Sequence, residues 1–208
     1  MGDCPFMTST GAASKVGDEK ARLRASFSAQ RGALSAEDAH RVGARVSDHV
    51  LRSEIFRRAE SVALYAAQGG EPDLRELYES ARRAGKTLLL PRCGPGRRLG
   101  FFNVEQWSDL EPGRFGLLEP QGASSEIPVE TIDLILVPAL AVDDQGRRLG
   151  RGGGWYDRSL PQGEVSGGTC LAVVHAFQRF QGRLPSDERD RSVEGFVTEE
   201  GLFWCGDS

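Results

Sequence analysis

A segment rich in glycine and arginine, residues 146–158, has the composition of an anion-binding site. Glycines let the backbone approach a ligand closely, so that free N–H groups can face an anion. Arginine guanidinium groups donate charge-assisted hydrogen bonds of the kind that phosphate oxygens accept. The residues that carry this chemistry are Arg147, Arg148, Gly150, Arg151, Gly152, Gly153, Gly154 and Arg158. The pattern therefore predicts recognition of a phosphate-containing molecule.

The segment does not match two widespread phosphate loops. No Gly-Lys-Ser/Thr follows the glycines, which excludes a Walker A sequence. The dinucleotide fingerprint is also incomplete, because no glycine lies three residues after Gly152. From the residues alone, a flexible surface turn with solvated arginines is an open alternative.

The elements around this segment are those of an open α/β sheet. The apolar run from Ile132 to Val137 is typical of a parallel strand that is covered on both faces. Pro138 is expected to end this strand because it has no N–H for the ladder. Asp157 follows the glycines, where a helix is expected to begin. A strand end, a glycine loop and a helix start together form a common anion site of such sheets.

Other segments show further strand and helix patterns. Strands are predicted at residues 61–66, 87–91, 99–104 and 170–176, and Pro91 is expected to close the second of them. Helices are predicted from Asp18, from the capping residues Ser35 and Asp38, and from Pro72 to a stop at Gly85. A strand, a helix and a strand between residues 61 and 91 form a βαβ unit, which requires parallel pairing.

Length and composition bound the domain organisation. A length of 208 residues predicts one domain. The net charge of −4 excludes a strongly basic overall surface for nucleic acid. No apolar run approaches the ~18 residues of a membrane span, so we expect no membrane partner. The scattered Cys4, Cys93, Cys170 and Cys205 favour reduced thiols in the cytoplasm. Residues 1–18, rich in Gly, Ser, Thr and Ala, are predicted to be a disordered leader, and residues 19–208 a single domain.

The order of residues from Leu136 to Arg158 resembles the signature of the 5-formyltetrahydrofolate cyclo-ligases, also called 5,10-methenyltetrahydrofolate synthetases. The resemblance is carried by Leu-Val-Pro-Ala-Leu-Ala-Val-Asp and by Gly-Arg-Arg-Leu-Gly-Arg-Gly-Gly-Gly-Trp-Tyr-Asp-Arg. The family usually has Tyr where this chain has Trp155, a change that keeps an aromatic ring. Further similar segments are Lys20–Arg24, the strand exit that ends at Glu71, Phe115–Pro120 and Leu184–Glu194.

This resemblance implies a fold and a reaction. The implied fold is a three-layer α/β/α domain with a mostly parallel sheet, similar to sugar-phosphate isomerases and CoA transferases. The implied reaction of one-carbon metabolism is the ATP- and Mg²⁺-dependent cyclisation of 5-formyltetrahydrofolate to 5,10-methenyltetrahydrofolate. ADP and phosphate are released, and a phosphorylated formyl group (an imino-phosphate) is the intermediate. The enzyme would be a cytoplasmic monomer that acts on ATP and a folate, with or without a polyglutamate tail.

The resemblance also implies roles for individual residues. ATP would be bound by Lys20, Arg24, Arg148, Leu149, Gly150, Arg151, Gly152, Gly153, Gly154, Trp155, Tyr156 and Asp157. The folate would be bound by Tyr65, Ala66, Glu71, Glu119, Trp155 and Tyr156. Arg148, Arg151 and Tyr156 would take part in catalysis, and Asp157 and Asp190 would bind Mg²⁺.

Simpler explanations exist for several of these residues. Lys20 and Arg24 share one helix face, which on its own indicates a solvated basic surface whose loss costs little stability. Glu71 is equally explained as an anion at a helix N-terminus. Asp157 could cap a helix or pair with Arg158, and Asp190 could be a solvated loop residue.

Two wider alternatives for the function are open. An isomerase or acyl-CoA-type enzyme on the same fold, which would not need ATP, is one alternative, because fold does not determine function. A folate- or nucleotide-binding module without turnover is another. Glu194 stands where the family usually has Asp, which leaves its role in doubt. His175, at a strand end with no nucleophile beside it in the sequence, is interpreted as structural.

Overall fold

The computed structural model describes residues 10–122, 125–160 and 168–206. Within these ranges the helices are α1 (Thr10–Gly32), α2 (Ala36–Arg52), α3 (Glu54–Arg58), α4 (Arg75–Arg83) and α5 (Trp155–Ser159). The strands up to the glycine segment are β1 (Ser61–Ala63), β2 (Thr87–Cys93), β3 (Leu99–Asn103), β4 (Leu110–Pro112), β5 (Leu118–Pro120), β6 (Glu126–Ile127), β7 (Leu134–Pro138), β8 (Ala141–Asp143) and β9 (Arg148–Leu149). The later strands are β10 (Thr169–Val173), β11 (Arg179–Phe180), β12 (Gly195–Thr198) and β13 (Gly201–Trp204).

The central sheet has the strand order β13-β12-β10-β7-β1-β2-β3-β6 among the described residues. Its middle strands, from β12 to β2, pair in parallel. The pairs at both edges are antiparallel. The predicted mostly parallel sheet is therefore confirmed.

The alternation of side chains along β7 shows how the sheet is covered on both faces. Leu134 and Leu136 pack in an apolar cluster with buried residues of α2 and α4. Ile135 and Val137 point the other way and belong to a cluster that includes Tyr156 of α5. Because both faces of the strand are buried, its sequence is almost continuously apolar. This arrangement confirms the three-layer α/β class.

Helix α1 packs on a separate small sheet rather than on the central one. This sheet has the order β11-β8-β9, in which β8 and β9 follow β7 directly in the chain and β11 follows β10. Phe27 shares an apolar cluster with Leu140, Leu149 and Leu184. This packing brings the polar side of α1 close to the glycine segment and to the residues that follow Leu184.

The first helix begins earlier than predicted. Helix α1 starts at Thr10 rather than at Asp18, so residues 10–18 of the predicted leader form helix, and residues 1–9 lie outside the described residues. No proline lies between Thr10 and Asp18, and Ala12 and Ala13 favour helix, which offsets the unfavourable Gly11 and Gly17. No helix in the described ranges is long and apolar enough to cross a membrane. The division into a leader and one domain stays a prediction.

Helix α2 agrees with its predicted start. The Ser35 hydroxyl accepts a hydrogen bond from the Asp38 backbone N–H at 3.0 Å, and the Asp38 carboxylate accepts one from the Ser35 N–H at 3.2 Å. The reciprocal pair satisfies two backbone donors that the helix leaves free. Val42, Val46 and Val50 are buried, as their four-residue spacing predicted.

Three local expectations were wrong. Helix α4 begins at Arg75, so Pro72 precedes it rather than lying in its first turn. Strand β2 continues through Pro91 to Cys93. Its parallel neighbour β1 pairs only as far as Leu89, so the missing N–H of Pro91 removes no parallel ladder bond. The loop after β7 also contains the β8–β9 hairpin, which is too short to show a strand pattern in the sequence.

Candidate active site

A cavity of about 880 Å³ opens where β1, β2 and β7 end. Ligands of open α/β sheets usually bind outside the carboxyl ends of the strands. The other walls come from α1, the glycine segment, α5 and residues 187–191. The cavity is lined by all the residues to which the resemblance gave roles: Lys20, Arg24, Tyr65, Ala66, Glu71, Glu119, Arg148, Leu149, Gly150, Arg151, Gly152, Gly153, Gly154, Trp155, Tyr156, Asp157 and Asp190.

The glycine segment takes a backbone path that requires glycine. Gly152 and Gly154 have φ angles of 95° and 66°, which side chains other than glycine rarely adopt. A Cβ atom at Gly154 would lie 2.5 Å from Nη1 of Arg158. That same Nη1 donates to the Gly153 and Gly154 carbonyls at 3.0 and 2.8 Å. Arg158 therefore stabilises the loop through its backbone.

Arg24 and Arg151 tie this loop to its neighbours. Arg24 Nε donates to the Gly150 carbonyl at 2.9 Å, which links α1 to the loop. Arg151 Nη1 donates to the Gln68 side-chain oxygen at 2.7 Å, which links the loop to the segment after β1. Both guanidinium groups line the cavity and keep further donors for an anion.

Lys20 is not part of a solvated surface. It is only 7% exposed, and its Nζ lies 2.9 Å from Oδ2 of Asp187 and 2.5 Å from Oδ2 of Asp190. Burial lowers the pKa of Lys20, but the two carboxylates outweigh it, so the pKa is raised overall. The hydrogen bond from Lys20 holds the pKa of Asp187 well below its usual range. The interpretation of Lys20 as part of a solvated basic surface was therefore wrong.

Asp157 pairs with Arg148 rather than with Arg158. Arg148 Nη2 lies 2.8 Å from Oδ1 of Asp157, and the Arg148 side chain is only 3% exposed. The backbone N–H of Arg191 donates to the same Oδ1 at 3.3 Å. The fold thus brings Asp157 next to the segment that carries Asp190.

The carboxylate oxygens in this part of the cavity fit a Mg²⁺ ion. The hydrogen bonds from described residues use Oδ1 of Asp157 and Oδ2 of Asp190, so the second oxygen of each carboxylate keeps its lone pairs. No group of three or more His, Cys, Asp and Glu side chains suited to a metal occurs in the described part of the chain. Mg²⁺ commonly binds through one or two carboxylates together with substrate phosphates and water. A pair of carboxylates beside the glycine segment is compatible with that pattern.

A second part of the cavity, around Glu71, contains a buried carboxylate. Glu71 is 5% exposed, and Arg31 Nη2 lies 3.3 Å from its Oε1. The Gln68 backbone N–H donates to Oε2 at 3.0 Å. Burial raises the pKa of Glu71, while Arg31 and the Gln68 N–H oppose that shift. Because α4 begins only at Arg75, the explanation of Glu71 as a helix-terminus anion fails.

The tyrosines in this part are neutral. The Tyr65 hydroxyl donates to the Pro72 carbonyl at 3.0 Å, and burial raises the Tyr65 pKa well above its usual value. Burial also raises the pKa of Tyr156, so its phenol can donate a hydrogen bond but does not serve as a phenolate base. Trp155, one residue earlier, makes an edge contact with Phe115, with ring centroids 6.1 Å apart.

Glu119 and His175 brace the site. Glu119 is 5% exposed and accepts a hydrogen bond from the Cys93 N–H at 3.3 Å, so it lines the cavity and holds β2. His175 Nε2 lies 2.7 Å from the Gly70 carbonyl, next to Glu71. Burial lowers the pKa of His175, which favours the neutral ring. This placement agrees with the structural interpretation of His175. Glu194 accepts a hydrogen bond from the Cys170 N–H at 2.7 Å, which fixes the start of β10.

Sequence reasoning missed three residues in or beside the cavity. Arg31 holds Glu71, Asp187 shares Lys20 with Asp190, and Arg191 lines the cavity itself. The charged run from residue 187 to 191 was visible in the sequence, but the resemblance gave a role only to Asp190. Arg31 looked like an ordinary cation in the last turn of a helix.

Comparison with known proteins identifies the family. The family model described as the 5-formyltetrahydrofolate cyclo-ligase family matches residues 16–199. The chain belongs to the 5-formyltetrahydrofolate cyclo-ligase family. The matched range includes the cavity residues of α1, the glycine segment and residues 187–191, so the family likeness covers every wall of the site.

Individual cyclo-ligases and solved structures agree with this assignment. The 5-formyltetrahydrofolate cyclo-ligase of Escherichia coli (strain K12) is 30% identical over 177 residues, covering 84% of this chain and 97% of that protein. The cyclo-ligase of Mycolicibacterium smegmatis is 36% identical over 146 residues, covering 66% and 73%. The NMR structure of Aquifex aeolicus 5,10-methenyltetrahydrofolate synthetase is 32% identical, with a TM-score of 0.77 and coverage of 91% and 94%. A Mycoplasma pneumoniae 5,10-methenyltetrahydrofolate synthetase is 18% identical with a TM-score of 0.69 over 87% and 99% of the two chains, which supports the fold.

Proposed function

We propose that this member of the family is a 5-formyltetrahydrofolate cyclo-ligase that uses ATP and Mg²⁺. It would convert 5-formyltetrahydrofolate to 5,10-methenyltetrahydrofolate and release ADP and phosphate. The observation that carries this proposal is that one cavity combines a basic glycine segment with a buried carboxylate and aromatic rings. The first part suits a triphosphate, and the second suits a flat heterocycle with N–H donors.

The reaction needs activation of a formamide. The formyl oxygen is a poor leaving group, and the formyl carbon is a poor electrophile. When this oxygen attacks the γ-phosphorus of ATP, a P–O bond forms and ADP leaves. N10 of the folate then attacks the activated carbon and loses its proton, and phosphate departs with the C–O bonding electrons as the ring closes. Each step proceeds without a nucleophilic side chain, so the protein mainly positions the reactants and stabilises charge.

The basic residues would stabilise the charge of the phosphoryl group. Arg148 and Arg151 belong to the glycine segment and line the cavity, and Lys20 and Arg24 approach the segment from α1. In the described structure Lys20 and Arg148 are held by carboxylates. Asp157 and Asp190 would hold Mg²⁺, which would supply further positive charge near the phosphate oxygens. Lys20 and Arg148 would add their own charge from the same part of the cavity.

The part of the cavity around Glu71 would orient the pterin. The Glu71 carboxylate can accept two adjacent N–H groups of a pterin ring, because it is fixed by Arg31 and by the loop backbone. Trp155 and Tyr156 can hold the flat ring system by stacking. Glu119, Tyr65 and Ala66 would complete this wall. The formyl group would then face the glycine segment.

A spectrophotometric assay tests the proposal. The purified protein is incubated with 5-formyltetrahydrofolate, ATP and Mg²⁺, and the methenyl chromophore is followed; we expect turnover only with all three present. Full-rate conversion without ATP would reject phosphoryl activation. Binding of both ligands without any product would favour the binding-module alternative. The cytoplasmic location and the monomeric state stay predictions.

A further inference from the structure

Arg191 has a guanidinium group that no described residue neutralises. Its side chain lines the cavity, and its Nε is fully buried with no hydrogen-bond partner among the described residues. No ion pair within 4.0 Å involves Arg191 in the described part of the chain, although Asp190 precedes it directly. No role was predicted for Arg191 from the sequence.

The nearby carboxylates already have other partners. Asp187 pairs with Lys20 at 2.9 Å and with Arg189 at 3.2 Å. Asp190 pairs with Lys20, and Asp157 pairs with Arg148. The charge of the Arg191 side chain therefore stays available to a ligand.

An unpartnered buried donor is costly. A buried polar group without a hydrogen bond has lost its hydration without compensation, and the cost is larger when the group is charged. More than about 90% of buried polar groups in proteins have a partner. A ligand in the cavity is the acceptor that would remove this cost. A guanidinium group selects an anion, and its planar donors match the oxygens of a phosphate.

The backbone of Arg191 and the side chain of Arg148 contact the same carboxylate, that of Asp157. The Arg191 backbone N–H and the Arg148 Nη2 both donate to Oδ1 of Asp157, at 3.3 and 2.8 Å. The Nε of Arg148 is likewise buried without a partner among the described residues. Each of the two arginines thus has a buried Nε without a partner among the described residues. Both contact Asp157, Arg191 through its backbone and Arg148 through its side chain.

We propose that Arg191 is a further phosphate-binding residue of the cavity and acts with Arg148 as a two-arginine clamp on the triphosphate. The inference rests on the proposed function, because the anion is the polyphosphate of ATP. Arg191 would bind the polyphosphate in the ground state, so it acts on ATP affinity rather than on folate affinity.

The test measures binding without turnover. Calorimetric titrations with inorganic triphosphate and with ATP, in the absence of folate, compare the wild type with Arg191→Ala and Arg191→Lys. We expect about 10- to 100-fold weaker binding in Arg191→Ala, the loss typical of one or two hydrogen bonds to a charged group. Arg191→Lys should recover part of it, because it restores the charge but not the planar donors. The affinity for 5-formyltetrahydrofolate should not change in either variant.

Arg183→Ala is the matched control. Arg183 is an exposed arginine of the same chain segment that does not line the cavity, and its removal changes the net charge equally. We expect triphosphate binding like that of the wild type. An equal loss in Arg183→Ala, or equal triphosphate affinity in Arg191→Ala and wild type, would overturn the inference. Parallel losses of folate and triphosphate affinity in Arg191→Ala would also overturn it, because they indicate a general structural role.

The outcome separates this inference from the proposed function. A wild-type protein that binds triphosphate through Arg191 but makes no methenyl product would reject the function and support the clamp. A variant Arg191→Ala that makes the product with wild-type affinity for ATP would support the function and reject the clamp.

Discussion

The guanidinium of Arg31 lies 3.3 Å from the carboxylate of Glu71, and both side chains are about 95% buried (3% and 5% exposed). Arg31 also donates to the carbonyls of Gly69 and Ala139, at 3.1 and 3.3 Å. One side chain therefore joins the end of α1 to the loop after β1 and to the exit of β7. Lys20 lies on the same helix, so α1 contributes to both parts of the cavity.

Removal of either partner of this pair should destabilise the fold. We expect Arg31→Met to lower the free energy of unfolding by about 3–5 kcal/mol, because it leaves a buried carboxylate without its cation. The double variant Arg31→Met/Glu71→Gln should be destabilised by less than the sum of the two single variants. Urea titrations of the four proteins measure this coupling. Strict additivity would show that the two charges do not interact.

The variants Lys20→Ala and Arg24→Ala should differ in their free energy of unfolding, although both residues are expected to support the use of ATP. Lys20→Ala leaves Asp187 and Asp190 without their shared cation, and we expect a loss of about 1–3 kcal/mol. Arg24→Ala removes one partly exposed contact to the Gly150 carbonyl, so we expect about 1 kcal/mol or less. Both variants should raise the KM for ATP.

The neighbouring Arg22 supplies the control for this comparison. It is exposed on the same helix, and Arg22→Ala should change neither stability nor the KM for ATP. The prediction fails if Lys20→Ala is as stable as Arg22→Ala, or if all three variants use ATP equally well.

The two carboxylates assigned to Mg²⁺ should act as a unit. Asp157→Asn and Asp190→Asn should each raise the Mg²⁺ concentration that half-saturates turnover. Because both would serve one ion, the double variant should be little worse than the poorer single variant. A Mg²⁺ titration of the rate at saturating ATP measures this. A single variant that saturates at the wild-type Mg²⁺ concentration would show that the substituted residue is not a ligand.

The Cys93 thiol in the cavity should be unreactive near neutral pH. Burial raises its pKa to about 12, and the hydrogen bond and charge of Glu119 add to the shift. In a Cys4→Ser background, we expect the rate of alkylation by iodoacetamide at Cys93 to rise about tenfold per pH unit up to pH ~10, because only the thiolate reacts. Glu119→Gln removes a negative charge, so it should lower the Cys93 pKa and speed the reaction at each pH. Mass spectrometry of the Cys93 peptide follows the rate, and a rate that levels off near pH 8.5 would disprove the raised pKa.

The sequence by itself determined the elements that depend on nearby residues. The apolar run of β7 follows from burial of both its faces, and the start of α2 follows from the capping pair Ser35 and Asp38. The glycine segment was recognisable because its backbone requires φ angles that few other residues adopt, as at Gly152 and Gly154. The family resemblance in that segment was confirmed by the match to residues 16–199.

Only the tertiary structure decided which charges meet. Lys20 contacts Asp190 across 170 positions of the chain because Phe27 and Leu184 share one apolar cluster, which places α1 against the segment that follows Leu184. The same helix carries Arg31 to Glu71. A helical pattern places a cation on a face but does not show what covers that face, since the covering residues come from distant segments through packing. For this reason the sequence indicated a solvated surface at Lys20, whereas in the folded chain Lys20 is buried and pairs with two partly exposed carboxylates.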